Sequence, residues 1–129
     1  MSERVPYEYA VVRVVPRVDR DEFINAGVIV FARQQRLLEA RVEVNDHRLL
    51  ALWPGVDLAT VRQHLDAIKR ICAGDPTAGP IALMSQSERF HWLTTPRSTV
   101  IQTSPTRTGL SSNLAQLPDD LERKLLSTT

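Results

Sequence analysis

The sequence predicts one α+β domain: a small antiparallel sheet of about four strands packed by two or three helices. Three apolar segments with short polar links come first, segments with helical spacing follow, and one more apolar segment comes late. Strands followed by helices favour α+β over alternating βαβ units. A chain of 129 residues suits a single domain spanning 1–129. We expect its core at about 5–110 and its last helix at about 117–127.

The first three segments predict a three-strand meander. Residues 7–15 are rich in β-branched and aromatic residues, and Pro16 is expected to end this strand because proline lacks an amide donor. Residues 26–32 form a continuous apolar run, typical of a central strand, in which Gly27 marks a bulge or a close backbone approach. Residues 37–44 alternate apolar and charged, which predicts an edge strand with one solvated face.

Capping residues predict the first two helices. Asn45 or Asp46 can cap a short helix over 47–53. Asp57 can cap a longer helix over 58–73, where apolar residues recur at three-and-four spacing and Gly74 ends the helix.

The second half alternates short elements with loops. Ser85 and Glu88 have the spacing of a capping box, which predicts a helix over 87–93. Residues 98–103 predict the fourth strand and residues 105–113 a loop. Pro118 at a first helical position opens the last helix, to about Leu126.

Composition excludes several classes of protein. The formal net charge is +1, so no global field favours nucleic acid or membrane surfaces. No apolar run is long enough to span a bilayer, and the first residues lack the apolar core of a signal peptide. We therefore expect a cytoplasmic protein that does not associate with a membrane. Cys72 is the only cysteine and is expected to be an inert buried thiol. Only Lys69 and Lys124 are lysines among 16 basic residues, a bias compatible with anion recognition or with coding composition.

Glu22 and Asn25 form the first candidate site, just before the central strand. The carboxylate can accept a proton and the amide can orient a substrate. The alternative is structural, since asparagine before a glycine-containing run commonly bonds to nearby backbone.

The second candidate site surrounds His91. Arg89 and Arg97, with Ser98 and Thr99, can hold a phosphate or carboxylate through charge-assisted hydrogen bonds, and His91 can exchange a proton near neutral pH. In the alternative, the neighbouring aromatic residues are core and Arg97 pairs with an internal carboxylate. Arg13, placed among valines, should also have an acidic partner, with Glu22 the first choice.

Other sites have little support in the sequence. The three histidines are far apart and lack ligand spacing, so neither a metal nor any other cofactor is expected. Phosphate-binding glycine motifs, the nucleophile elbow and nucleic-acid modules are missing as well.

Four stretches of the chain are distinctive: YEYAVVRVVP at 7–16, EFINAGV at 22–28, ERFHWL at 88–93 and PRSTVIQ at 96–102. They resemble a bacterial family catalogued as domain of unknown function 3037. The last stretch contains Gln102, which we add to the candidate ligand-binding residues. The resemblance implies a small bacterial protein whose gene often neighbours that of a HipA-like protein kinase. It therefore implies a partner or regulatory role by association, and it supplies no catalytic residues.

Two functions are compatible with these residues. The first is a non-catalytic binding or regulatory module that contacts a protein partner, such as the HipA-like kinase, or a small anionic ligand; an exposed edge strand could also form a homo-oligomer. The second is an enzyme acting on a phosphate-containing or carboxylate-containing substrate. Glu22 and His91 would then be its acid and base, Arg13, Arg89 and Arg97 its anion clamp, and Asn25 its orienting group. Both require these side chains to converge.

Overall fold

An antiparallel sheet of five strands organises the computed structural model, which describes residues 3–17, 22–97 and 99–126. The strands are β1 (Val5–Arg17), β2 (Glu22–Ala32), β3 (Leu37–Val42), β4 (Ile101–Thr103) and β5 (Arg107–Ser111). Their order is β3-β2-β1-β4, and β5 also pairs with β1. The predicted α+β class and the N-terminal meander are confirmed, with one strand more than expected.

Four α-helices pack on this sheet: α1 (Asp46–Leu52), α2 (Leu58–Ala73), α3 (Gln86–Leu93) and α4 (Leu117–Leu126). Short 3-10 turns at Pro76–Ala78 and Pro80–Leu83 join α2 to α3. The predicted caps are confirmed, because the side chains of Asn45, Asp57 and Ser85 each accept a hydrogen bond from a first-turn amide. The bonds from Thr60 also hold the pKa of Asp57 below its ordinary value.

The strand bounds differ from the expectations in three places. β1 runs through Pro16, because the β1–β2 pairing is irregular between Val14 and Arg17 and does not require a regular ladder there. The predicted fourth strand over 98–103 is ordered as strand only from Ile101. The expected loop over 105–113 contains β5, whose polar composition resembles a loop but whose backbone pairs with residues 5–9 of β1.

The predicted role of Gly27 is confirmed on both counts. In the β1–β2 pairing Val12 lies opposite Gly27 and Arg13 opposite Asn25, so Ala26 is an extra residue that bulges from β2. A Cβ on Gly27 would lie 2.8 Å from the Arg41 carbonyl oxygen, so only glycine allows β3 to approach this closely.

The sheet is covered on both faces. The larger core lies under α2 and α3, where Val12, Ile29 and Leu65 are buried with their neighbours. A smaller core on the other face joins Val28 and Val30 to the apolar side of α4. The charged face of β3 was expected to be solvated; instead, α4 covers part of it, and the Arg41 guanidinium lies 3.0 Å from an Asp119 carboxylate oxygen.

Candidate functional site

Three of the predicted site residues are cross-strand neighbours on the α4 face of the sheet. Arg13 on β1 lies opposite Asn25 on β2 and opposite Gln102 on β4. The Arg13 guanidinium stacks 4.2 Å from the ring centroid of Phe23, which is 45% exposed. This contact is a cation–π interaction, so an aromatic ring packs against the arginine.

Two buried polar atoms in this cluster have no hydrogen-bond partner within the described residues: Arg13 Nε and Asn25 Oδ1. The Asn25 amide nitrogen does have one, since it donates to the Leu125 carbonyl oxygen at the end of α4 over 3.2 Å. Asn25 therefore connects the central strand to the last helix. It bonds to backbone, as in the structural alternative, but this backbone is distant in sequence and not nearby.

A second group of predicted residues lines a cavity on the opposite face of the sheet. The cavity has a volume of about 550 Å³ and lies between α2, the end of α3 and β4. Such a volume falls within the range of small-molecule sites. Arg97 and Thr99 line it, together with apolar side chains: Ala67, Ile68, Ile71, Leu93, Val100 and Ile101. Gln102 borders it from β4, although its register opposite Arg13 places it with the first group.

Arg97 is the arginine of this cavity. Its guanidinium stacks on the Trp92 ring at 4.3 Å from the centroid, and its Nη2 donates to the Trp92 carbonyl oxygen over 2.7 Å. These two contacts hold the side chain in place while its other donors stay available. Among the described residues that line the cavity there is no carboxylate, so the charge of Arg97 is not neutralised from within it.

Hydroxyl and amide groups complete the polar part of the lining. The Thr99 hydroxyl donates to the Ile101 carbonyl oxygen, and the Gln102 side-chain nitrogen donates to the Thr99 carbonyl oxygen, so both side chains shape this turn. The Thr103 hydroxyl oxygen is buried and has no partner within the described residues. Ser98, the remaining predicted residue here, lies outside the described residues.

Arg89 has a different position from the one its predicted role requires. It is 9% exposed, and its guanidinium donates to three backbone carbonyl oxygens, those of Ile71, Cys72 and Met84, at 2.8–2.9 Å. Two of these carbonyls belong to the last turn of α2, where a helix runs out of its own amide donors. The Gly74 amide also reaches the Ile71 oxygen, so Arg89 shares this acceptor with the backbone. Arg89 therefore caps α2 from inside the protein and does not line the cavity of Arg97.

Glu22 and His91 do not join either group. His91 is exposed on α3 and lines a shallow depression with Glu88 and Met84. Glu22 begins β2 opposite Arg17 and does not line the cavity that contains Arg97. Neither Arg13 nor Arg97 forms an ion pair with another described side chain, whereas Arg41, Arg62, Arg70 and Arg123 each do. The convergence of all candidates in one site was an expectation that this arrangement does not fulfil.

Several polar cavity residues were missed by the sequence reasoning: Thr60, His64, Thr95 and Thr103. His64 and Thr60 line the cavity from α2, on the stripe next to the apolar stripe that predicted the helix. A second stripe, in which Thr60, His64, Ala67 and Ile71 follow three-and-four spacing, was the available signal. Trp92 was expected to be core in the structural alternative, but it is 41% exposed and forms part of the rim.

A model of a family described as protein of unknown function (DUF3037) matches residues 9–126. The chain belongs to this family. No curated protein and no solved structure matches it. The suspected resemblance is thereby confirmed, whereas the family description assigns no activity to any of the residues above.

Groups of metal ligands and membrane-spanning helices are both absent from the described residues. Across residues 3–17, 22–97 and 99–126, no three histidine, cysteine or acidic side chains are grouped so that they can hold a metal ion. No helix in the described ranges is long and apolar enough to cross a membrane. Cys72 is buried, as expected, and burial raises the pKa of its thiol to about 12, so it does not act as a thiolate nucleophile.

Proposed function

We propose that this protein is a binding domain that takes a small molecule, consisting of an apolar body and one anionic group, into the cavity between α2, α3 and β4. The observation that carries the proposal is the combination of an apolar lining with one arginine and no carboxylate among the described residues of the cavity. An apolar pocket with a few convergent polar groups is the usual form of a ligand site.

Each part of the lining suits a different part of such a ligand. Ile68, Ile71 and Leu93 favour a hydrocarbon or aromatic body through burial of apolar surface. The Arg97 guanidinium can donate to an anionic group at the rim. The buried Thr103 hydroxyl, which lacks a partner within the described residues, gains one from a polar atom of the ligand.

A single guanidinium favours a monoanion over a more highly charged group. Arg97 already uses Nη2 for the Trp92 carbonyl oxygen, and His64 is the one other ionisable side chain among the described residues of the lining. A carboxylate or sulfonate needs two donors on one side, whereas a phosphate dianion requires more compensation. The ligand class we propose is therefore an apolar monocarboxylate or its equivalent.

The test compares octanoate with its neutral analogue octanol, by calorimetry and by amide shifts in a nitrogen-correlated NMR spectrum. Octanoate should bind more tightly, and its shifts should map to α2, α3 and β4. Arg97→Gln should weaken octanoate binding by about tenfold, the loss of one charge-assisted contact, and leave octanol unchanged. Arg107→Gln, at an exposed arginine of β5 outside the cavity, is the matched control.

Two results would contradict the proposal. One is equal affinity for octanoate and octanol in the unmodified protein. The other is a set of amide shifts confined to residues outside the cavity. As a further check, Ala67→Phe fills the cavity from α2 and should abolish binding of both probes while the thermal unfolding transition persists.

The enzyme alternative is not carried forward, because the acid–base pair on which it depended is not assembled with Arg97. A cytoplasmic location and an interaction with a HipA-like kinase stay proposals that rest on the sequence and on the family resemblance. Co-expression with such a kinase followed by size-exclusion chromatography tests the second: co-elution supports it, and separate elution contradicts it.

A further inference from the structure

The strand β3 forms one edge of the sheet. Within the described residues it pairs with β2 alone, while α2 and α4 pack against its two faces. One row of its backbone amides and carbonyls is therefore left without a strand partner. An unpaired edge of this kind is a template for a strand from another chain.

The direction of these amides follows from one hydrogen bond. The Glu43 amide donates to the Ala26 carbonyl oxygen over 2.8 Å, so the backbone polar groups of Glu43 point toward β2. Because these groups alternate sides along a strand, those of Arg41 and Glu39 also point toward β2. The amides and carbonyls of three residues therefore point outward at the edge: Leu38, Ala40 and Val42.

The outward backbone groups of β3 can pair with the same groups of a second β3 strand. When two β3 strands run antiparallel with Ala40 opposite Ala40 of the second copy, Leu38 lies opposite Val42, and all of these residues direct their backbone groups at each other. They form the hydrogen-bonded pairs of an antiparallel ladder. Glu39 then lies opposite Arg41 in the non-hydrogen-bonded pairs, where facing side chains are closest.

Charge selects this register among its neighbours. With Ala40 opposite Ala40, each acidic residue of the strand faces a basic one across the two-fold axis. A shift in one direction would place Arg41 opposite Arg41, and the opposite shift would place Glu39 opposite Glu39; both arrangements oppose like charges. Within one copy Arg41 already bonds to Glu39 over 2.6 Å and lies 3.0 Å from Asp119. The Glu39 and Arg41 side chains are nevertheless 38% and 37% exposed, so the pairs between copies would extend this charge network.

We propose that the β3 edge pairs with the β3 edge of a second copy of this chain, giving a two-fold dimer with one continuous sheet. The α2 helices of the two copies lie on the same face of that sheet, where each carries charges of both signs beside β3: Arg62, Asp66 and Lys69. The dimer does not depend on the ligand cavity, because the cavity lies beside β4 and β3 is at the opposite edge of the sheet.

The first test is sedimentation equilibrium of the unmodified protein and of Ala40→Pro. The unmodified protein should sediment at twice the monomer mass, and Ala40→Pro should be monomeric. Proline removes an outward amide that bonds to no other strand of the described chain, so the circular dichroism spectrum should stay native. A monomeric unmodified protein, or a natively folded Ala40→Pro variant that still dimerises, would overturn the proposal.

The second test is independent of proline and uses charge. Glu39→Arg alone and Arg41→Glu alone each oppose like charges and should raise the dimer dissociation constant by about tenfold or more. An equimolar mixture of the two variants restores opposite charges at both positions and should form heterodimers. Arg107→Glu, on β5 away from this edge, should leave the dimer intact. Failure of the mixture to associate more tightly than either variant overturns the register.

Discussion

At the scale of single residues, Arg89 and Arg97 show that the same type of side chain can have two different roles. Arg89 is buried and donates to the carbonyl oxygens of Ile71, Cys72 and Met84, whereas Arg97 is exposed beside Trp92 at the cavity rim. The sequence placed both in one anion site, because arginine donates to a ligand oxygen and to a backbone oxygen equally well. Burial and the nearest acceptors decide between these roles.

Arg89→Ala should therefore destabilise the protein, while Arg97→Ala should not. Removal of the Arg89 guanidinium takes away its bonds to the Cys72 and Met84 carbonyl oxygens and one of the two bonds to the Ile71 oxygen, which the Gly74 amide also reaches. This loss should lower the free energy of unfolding by about 3 kcal/mol. Arg97→Ala removes exposed contacts and should change it by about 0.5 kcal/mol or less. Urea denaturation of both variants measures the difference, and equal losses would show that Arg89 is not the cap of α2.

At the scale of elements, β4 and β5 lie one after the other along the same edge of β1. They are joined at Ser104, which is 1% exposed. The Ser104 amide donates to the Val11 carbonyl oxygen, and its hydroxyl oxygen accepts the Val11 amide, each over 2.8 Å. One serine thus continues the ladder across the gap between the two strands.

Ser104→Ala should weaken this junction. The Val11 amide is left buried without an acceptor, so the free energy of unfolding should fall by about 1–3 kcal/mol. Hydrogen exchange of the Val11 amide should become faster than in the unmodified protein. Ser112→Ala, at an exposed residue just beyond β5, is the control. Unchanged exchange at Val11 would mean that the serine hydroxyl is not its acceptor.

Elements set by local chemistry were predictable, and those set by distant partners were not. The caps at Asn45, Asp57 and Ser85 depend on amides within the same turn, so their helices could be located from spacing alone. β5 could not, because its threonine and glycine are typical of a loop and its pairing partner is at the start of the chain. The composition of the cavity was unpredictable for the same reason, because tertiary packing brings His64 of α2 and the residues of β4 to one cavity.

At the scale of the whole molecule, the sheet separates two cores of different size. Val12 and Val14 of β1 belong to the larger core, and Val28 and Val30 of β2 belong to the smaller one. α2 and α3 complete the larger core, and α4 completes the smaller one. Cys72 belongs to the larger core, which the ligand cavity adjoins. Its thiol is buried only when this core is folded, so the ionisation of the thiol is coupled to the folding of the domain.

The stability of the molecule should therefore decrease at alkaline pH through Cys72. Burial raises the pKa of its thiol from 9.0 to about 12, an effect that nearby Arg89 only partly offsets. Below pH 9 the thiol is protonated in both states, and its contribution is fully present. Above pH 9 the unfolded chain releases this proton and the folded chain retains it, so the free energy of unfolding falls by about 1.4 kcal/mol per pH unit.

Urea denaturation between about pH 8 and about pH 10 measures this slope, and Cys72→Ala should remove the thiol's share of it. The difference between the two proteins isolates the thiol, because Tyr7, whose pKa is raised by burial and by Tyr9, contributes a slope of the same sign to both. Parallel pH curves for the unmodified protein and the alanine variant would show that Cys72 ionises as readily in the folded protein as in the unfolded chain. The thiol would then be accessible to water, and the core beneath α2 would be open to solvent.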